Sequence, residues 1–322
     1  MAPVSFSDST TPETSVTLGS HSSFHDGSAY SSTQLLDLYY ANFHDAHPIL
    51  LPQGHLMARL RSNAASLQHI SPVMEFIGSL YLPDVPSEPL RERASIKLAA
   101  DTLSMNGFSV QALVLFAVAT HCHNNFEEAQ VLLDRAIAMA LEIKMHSKSF
   151  AQENGEGNAV MEESWRRTWW LLFIIDGTFA GIRHETSFKL LNMNTDVDLP
   201  CEEREYAEGV SRTFVQALTR QANLNLQTVP IPKSLEEYDT REFEDEEIIF
   251  SSFTYLIDAA RIIGATLPTS SEVGAPFDSV AVHADARLVN WSAHLPECKK
   301  EMVNKSRSMD EMIFQAHMLI NV

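Results

Sequence analysis

The chain has 322 residues, 45% of them hydrophobic, enough to bury a substantial core in one large domain or two small ones. A formal net charge of -19 makes the surface repel phosphate backbones and anionic lipid, so neither direct specific DNA binding nor membrane binding is expected. Cys122, Cys201 and Cys298 are too few and too scattered for a disulfide framework or a thiolate cage and read as reduced, intracellular thiols.

Residues 1–32 are Ser, Thr, Pro, Gly and His with isolated apolar residues, a composition that cannot offset the entropy of ordering; they read as a disordered leader. No Lys or Arg precedes Arg59, so a signal peptide or Arg-rich transit peptide is not expected. Residues 33–322 read as one helical domain. A first helix is capped by Ser31 or Ser32, carries Leu35, Leu36, Tyr39, Tyr40 and Phe43 at three-to-four spacing, and is ended by Pro48 and Pro52. Further helical patterns cover Val73 to Leu82, Leu90 to Met105, Val110 to His121 and Phe126 to Met145. In the last of these, Asn125 with Glu128 suggests a capping box, Lys144 and Lys148 suit the negative helix end, and Ala129, Ala136 and Ala140 offer a small-residue side for close approach.

After an expected loop at Gln152 to Asn158, Glu162 to Gly181 is the most hydrophobic helix, with Trp169, Trp170, Leu171, Leu172, Phe173, Ile174 and Ile175 surrounding the axis. It shows no polar face and belongs at the centre of a bundle. Its apolar run is far shorter than the ~20 residues needed to span a bilayer. Asp196 to Pro200 reads as an extended turn, followed by helical patterns near Tyr206 to Leu226, Asp245 to Leu267 and Ala281 to Leu295. No strand pattern competes, so the fold class is all-α, a multi-helix bundle.

Few constellations suggest chemistry. His44 and His47 stand one helical turn apart with His55 nearby, but Pro48 interrupts the helix and no His-Glu-x-x-His pattern occurs. In His121-Cys122-His123, adjacent side chains point apart, which suits structural residues better than a metal. The acidic run Glu236, Glu237, Asp239, Glu242, Glu244, Asp245, Glu246 and Glu247 reads first as a solvated loop and helix start. With Tyr238, Phe243 and Phe250 interleaved, it also has the composition of an activation-type segment. Lys299, Lys300, Lys305 and Arg307 read as a solvated basic loop. No phosphate loop, nucleophile elbow or zinc-deaminase signature occurs, so no enzyme, metal or cofactor is expected.

Four motifs then appear in order: Leu35 to Leu51; Ser109 to Leu115 followed by the Leu-Leu-Asp-Arg-Ala-Ile-Ala-Met-Ala core within Ala129 to Ile143; Trp165-Arg-Arg-Thr-Trp-Trp170 with Asp176; and Asp196-Val-Asp-Leu-Pro200. Together they resemble the middle homology region of fungal zinc-cluster transcription factors, and Trp291-x-x-x-Leu-Pro296 and Phe314-Gln-Ala-His-Met318 extend the likeness to the C-terminus. The resemblance implies a helical regulatory domain, shortened at its C-terminal end and without the six-cysteine zinc cluster that reads DNA in the family. It implies Trp165, Arg166, Arg167, Trp169, Trp170 and Asp176 as bundle-organising residues, with Asp176 requiring a cationic or hydrogen-bonding partner if buried. The family's frequent Gly-Arg-Pro is replaced by Gly181-Ile-Arg-His-Glu-Thr186.

The function expected on this ground is transcription regulation, specific to a pathway such as a biosynthetic gene cluster. It would act in the nucleus through a DNA-bound transcription factor or coregulator, with any small-molecule effector unidentified. The alternative is a cytoplasmic helical protein that binds an effector or partner outside transcription.

Overall fold

The computed structural model describes residues 31–99, 103–208, 232–241, 248–266, 286–303 and 308–321. Residues 1–30 of the proposed leader, residues 209–226 of the helix expected near Tyr206 to Leu226, residues 242–247, Lys305 and Arg307 lie outside them, while Ser32, assigned to the leader, begins the first helix. The described chain runs through α1 (Ser32–Asn42), α2 (Gln53–Asn63), α3 (Ile70–Ser79), α4 (Glu88–Ala99), α5 (Gly107–Cys122), α6 (Phe126–Glu142), α7 (Lys148–Asn154) and α8 (Ala159–Ile182). It continues through α9 (Glu203–Glu208), α10 (Leu235–Thr240), α11 (Ser252–Thr266), helical residues 286–293 and α12 (Glu311–Ile320). Among the described residues the only β pairing is a lone antiparallel bridge between Val303 and Met309. The architecture is all-α.

Local chemistry starts and stops these helices. Asn106 opens α5 by accepting from Ser109 N at 3.0 Å, and Asn158 opens α8 by accepting from Val160 N at 2.9 Å; each satisfies a donor that the first turn leaves orphaned. At the start of α6, by contrast, the Asn125 side chain accepts no backbone hydrogen bond, so no capping box forms; its amide donates to Glu128, which is drawn to Arg91 of α4. The far end of α6 also departs from expectation. Lys144 adopts φ 59° and lets Met145 N return to Ala140 O at 2.8 Å, so Lys144 turns the chain instead of facing the helix dipole.

Lys148 belongs to the next helix, α7, which occupies part of the expected loop. Its N–H donates to Asp196 Oδ1 at 2.7 Å, and Phe150 and Ala151 are buried beneath it. α2 is also additional to the sequence reading: it buries Leu56 alone, so its hydrophobic periodicity is faint.

The core forms where small residues let helices close. Ala129, Ala136 and Ala140 are fully buried on the face of α6 that meets α5, and every residue of α5 from Gly107 to Thr120 is buried. α3 crosses α1 at Gly78, where a Cβ would stand 2.0 Å from the Leu35 carbonyl oxygen; only glycine permits that approach. α8 is the central element, touching α5, α6, α7 and α11, and α11 in turn packs on α12. From Glu163 to Gly177 every α8 residue is buried. Trp169 and Trp170 lie in its middle, and burial of rings that size contributes roughly 4–6 kcal/mol each by area.

Candidate functional site

The sequence reading of α8 as a helix without a polar face needs correction. Glu163, Ser164, Arg167 and Thr168 form a polar stripe at helical spacing, and all four are buried. Between α1 and α2 a 3-10 turn at His44–Ala46 gives way to a non-helical stretch, residues 47–52, which faces the stripe and whose carbonyls at 48–51 must be satisfied by side chains.

Four successive carbonyls there are taken by side chains from four helices. Pro48 O accepts from Arg167 Nη1 at 3.3 Å, and Ile49 O from both Gln111 Nε2 at 3.0 Å and Ser164 Oγ at 2.6 Å. Leu50 O accepts from Tyr206 Oη at 2.8 Å and Leu51 O from Tyr40 Oη at 2.6 Å. The Gln111 amide also donates to Ser164 Oγ at 2.9 Å and Thr168 Oγ1 at 2.8 Å, so α5, α8 and the 48–51 stretch share one hydrogen-bonded junction.

Arg167 is the hub. Its guanidinium is fully buried and donates through Nε to Glu163 Oε1 at 3.0 Å and through Nη2 to Cys201 O at 2.9 Å, and it pairs with Glu203. It also stands 4.0 Å from the centroid of the Tyr206 ring. Glu163 receives Arg166 Nε at 3.0 Å and Cys201 N at 2.8 Å, leaving neither carboxylate oxygen unpaired. Burial would raise the Glu163 pKa, but Arg166 and Arg167, aided by the Cys201 N–H, pull it down to about 2. For Arg167 the same competition ends in the charged form: burial opposes it, and Glu203 and Glu163 outweigh burial.

The remaining motif positions tie α8 to flanking segments. Trp165 Nε1 donates to Asn154 O at 2.9 Å, closing α7 onto α8, and its ring lies over Gly107, where a Cβ would come within 2.6 Å. Trp170 Nε1 donates to Asp198 O at 3.0 Å, joining the Trp-Arg-Arg-Thr-Trp-Trp and Asp-Val-Asp-Leu-Pro motifs. Trp169 packs beside His146 with ring centroids 5.9 Å apart. Asp176, six residues beyond Trp170, accepts Leu190 N at 2.8 Å. Its pKa is raised to about 6, chiefly by burial, which the Leu190 N–H and Lys189 counter only in part.

Beside this hub, Leu199, Pro200, Cys201, Glu202, Glu205, Pro232, Lys233, Ile249, Phe250 and Ser251 line an open cavity of about 250 Å³ with Glu163 beneath it.

Other sequence candidates fall elsewhere. His44 is buried against Tyr39 and Tyr40, its pKa lowered to about 3 by burial and by Arg167, while His47 stacks on Phe43 at 4.3 Å. His55 sits apart in α2. His121 stacks on Phe179 at 4.2 Å, and Cys122 is exposed. Among the described residues no three His, Cys, Asp or Glu side chains gather as a metal site.

Of the acidic run, Glu236 and Glu237 form the first turn of α10, where Glu237 and Ser234 make a capping box. Tyr238 and Phe250, expected as interleaved contacts of an activation segment, instead pack edge to face in the core at 5.0 Å. Lys299 is no solvated loop residue either: it donates to Glu202 Oε1 and Ser252 Oγ, both at 2.6 Å, because three acceptors converge there with Asp310.

Gln111, Glu163, Tyr206 and Glu203 escaped the sequence reading. Gln111 sits inside a motif that sequence alone had picked out, and a lone amide in an otherwise apolar helix is the signal that could have found it.

Residues 36–276 match the family described as the fungal specific transcription factor domain. The C6 finger domain transcription factor iacK of Pestalotiopsis fici is 34% identical over 285 residues, 88% of this chain but 39% of that protein, so the chain spans well under half of its relative. No solved structure matches. With the family match covering most of the chain, and the Trp-Arg-Arg-Thr-Trp-Trp and Asp-Val-Asp-Leu-Pro motifs joined at its centre, the chain belongs to the fungal-specific transcription factor domain family, whose members are regulators rather than enzymes.

Proposed function

We propose that this domain regulates transcription of a restricted set of genes from within the nucleus, through contacts with a DNA-bound transcription factor or a coregulator. The observation that supports the reading is the inward engagement of the motif: Arg166 and Arg167 pair with Glu163, Asp176 accepts Leu190 N, and Trp165 and Trp170 donate to backbone carbonyls. Side chains so engaged hold a bundle in shape. Trp165, Arg166, Arg167, Trp169, Trp170 and Asp176 are thus organisers of the domain. The net charge of -19 supports recruitment by protein contact, since phosphate binding draws on clustered Lys and Arg. Among the described residues no helix is long and apolar enough to cross a membrane.

Tethering the chain to a heterologous DNA-binding domain upstream of a reporter tests this directly. Activation or repression together with altered transcripts of a limited gene set in the deletion strain is expected. An inert fusion with an unaltered transcriptome overturns it and favours a helical interaction protein outside transcription.

A further inference from the structure

The cavity beside the Arg167 hub is a built feature. Its walls come from residues 199–202, 232–233 and 249–251, and these segments are bonded to one another around it. Leu199 N donates to Lys233 O at 2.7 Å, Lys233 Nζ to Ile249 O at 2.9 Å, and Ser251 Oγ to Pro200 O at 2.6 Å. Cys201 is clamped at its N–H by Glu163 and at its carbonyl by Arg167, so the floor is tied directly to the Arg167 hub. Leu199, Pro200, Pro232, Ile249 and Phe250 make the walls apolar. At about 250 Å³ the space is below the roughly 300–1,000 Å³ of drug-sized sites and suits a small molecule.

Charge decides what kind. Glu163 is neutralised by Arg166 and Arg167, and Glu202 by Lys299. Glu205 lines the cavity, is exposed, and makes no hydrogen bond or ion pair among the described residues. Lys233 is the single cation in the lining. Its ammonium is already committed to Ile249 O and to the Phe250 ring, 4.5 Å from the centroid, and Glu237, Glu205 and Glu202 act on it. An anionic ligand would meet one ammonium already shared between a carbonyl and an aromatic ring, with the Glu205 carboxylate in the same lining. A cationic ligand would meet Glu205, which attracts Lys233 at a distance but forms no hydrogen bond or ion pair with it, in a protein whose overall field already draws cations. We infer that this cavity is a binding site for a small organic cation, an amine carried on an apolar body that packs against the proline and phenylalanine walls.

The inference does not rest on the regulatory reading, because binding to the purified chain can fail while the reporter fusion works, and the reverse. The test is calorimetry or chemical-shift titration of the full chain with 2-phenylethylamine, 2-phenylethanol and phenylacetate, three probes of one shape and different charge. Saturable binding of the amine on the order of millimolar is expected, as for ligands of that size. Glu205→Gln should weaken it about tenfold. Glu92→Gln, an exposed change of equal charge on α4, should leave it unaltered and so exclude general attraction to an acidic protein. The inference is overturned if phenylacetate binds as tightly as the amine, if none of the probes saturates, or if Glu205→Gln and Glu92→Gln behave alike.

Discussion

Trp170 and Asp198 stand 28 residues apart, and the indole Nε1 of the first meets the backbone carbonyl of the second at 3.0 Å. The contact draws an extended segment onto the central helix, and the Asp198 side chain carries the link on to α7 through Lys148 Nζ at 2.8 Å.

Removing Trp170 should therefore cost both packing and a tether. Trp170→Ala is expected to destabilise by about 3–5 kcal/mol, the range for deleting a buried aromatic. Trp170→Phe keeps most of the ring but leaves the Asp198 carbonyl without its donor, and should cost about 1–3 kcal/mol. Chemical denaturation of the two variants checks the order; no loss in Trp170→Phe would mean that the hydrogen bond contributes nothing, and equal losses that the ring's packing adds nothing to it.

Arg167→Lys should behave as a severe change, although charge is retained. An ammonium cannot serve Glu163, Glu203, Pro48 O and Cys201 O together from the place of a planar fork. A loss of about 3–5 kcal/mol is expected, since Glu163 would be left buried and incompletely paired. A double-mutant cycle with Glu163→Gln should show strong coupling between the two positions.

The Asp176 carboxyl has a native pKa of about 6 against 3.8 for the unperturbed group. The native state thus binds the proton more tightly than the unfolded chain does. Stability from this group is complete below pH 3.8, declines as pH rises to 6, and stays at its lower level above that. Asp176→Asn, which keeps an acceptor for Leu190 N, should raise stability by roughly 1–3 kcal/mol at pH 7. The gain should shrink to nothing near pH 3.5 in parallel denaturation curves of the two proteins.

Gly78→Ala is a methyl-sized change with a large expected effect. The new Cβ would press into the Leu35 backbone, which cannot rotate out of the way as a side-chain tip can. A cost of about 1–3 kcal/mol or more is expected, with loss of the α1 to α3 contact by hydrogen exchange. Gly54→Ala in α2, where nothing lies within 4 Å of the added Cβ, provides the neutral comparison.

What could be read in advance tracks the physics of each element. α5, α6 and α8 announced themselves because long apolar patterns repeat at helical spacing and outweigh their neighbours. α2 and α7 did not, since each buries only one or two side chains and owes its place to tertiary contacts such as Asp196 with Lys148 N. The four gripped carbonyls were wholly out of reach: the residues that serve them come from helices as far as 156 positions away, and a backbone carbonyl leaves no mark on a sequence. Lys299 was misread for a related reason, because a basic cluster describes composition and says nothing of Glu202 waiting across the fold.

The buried polar stripe of α8 has a geometrical consequence. A helix apolar around its full circumference can be turned about its axis in a greasy core at little cost, so hydrophobicity alone would leave its facing ambiguous. Glu163, Ser164, Arg167 and Thr168 remove the ambiguity. Rotating α8 by one residue, about 100°, would carry Glu163 and Arg167 away from Cys201, Arg167 from Glu203 and Pro48 O, and the two hydroxyls from Ile49 O and Gln111, and into hydrocarbon. The stripe is the index mark that sets the rotational phase of the central helix, and with it the position at which Trp165 and Trp170 reach the segments on either side.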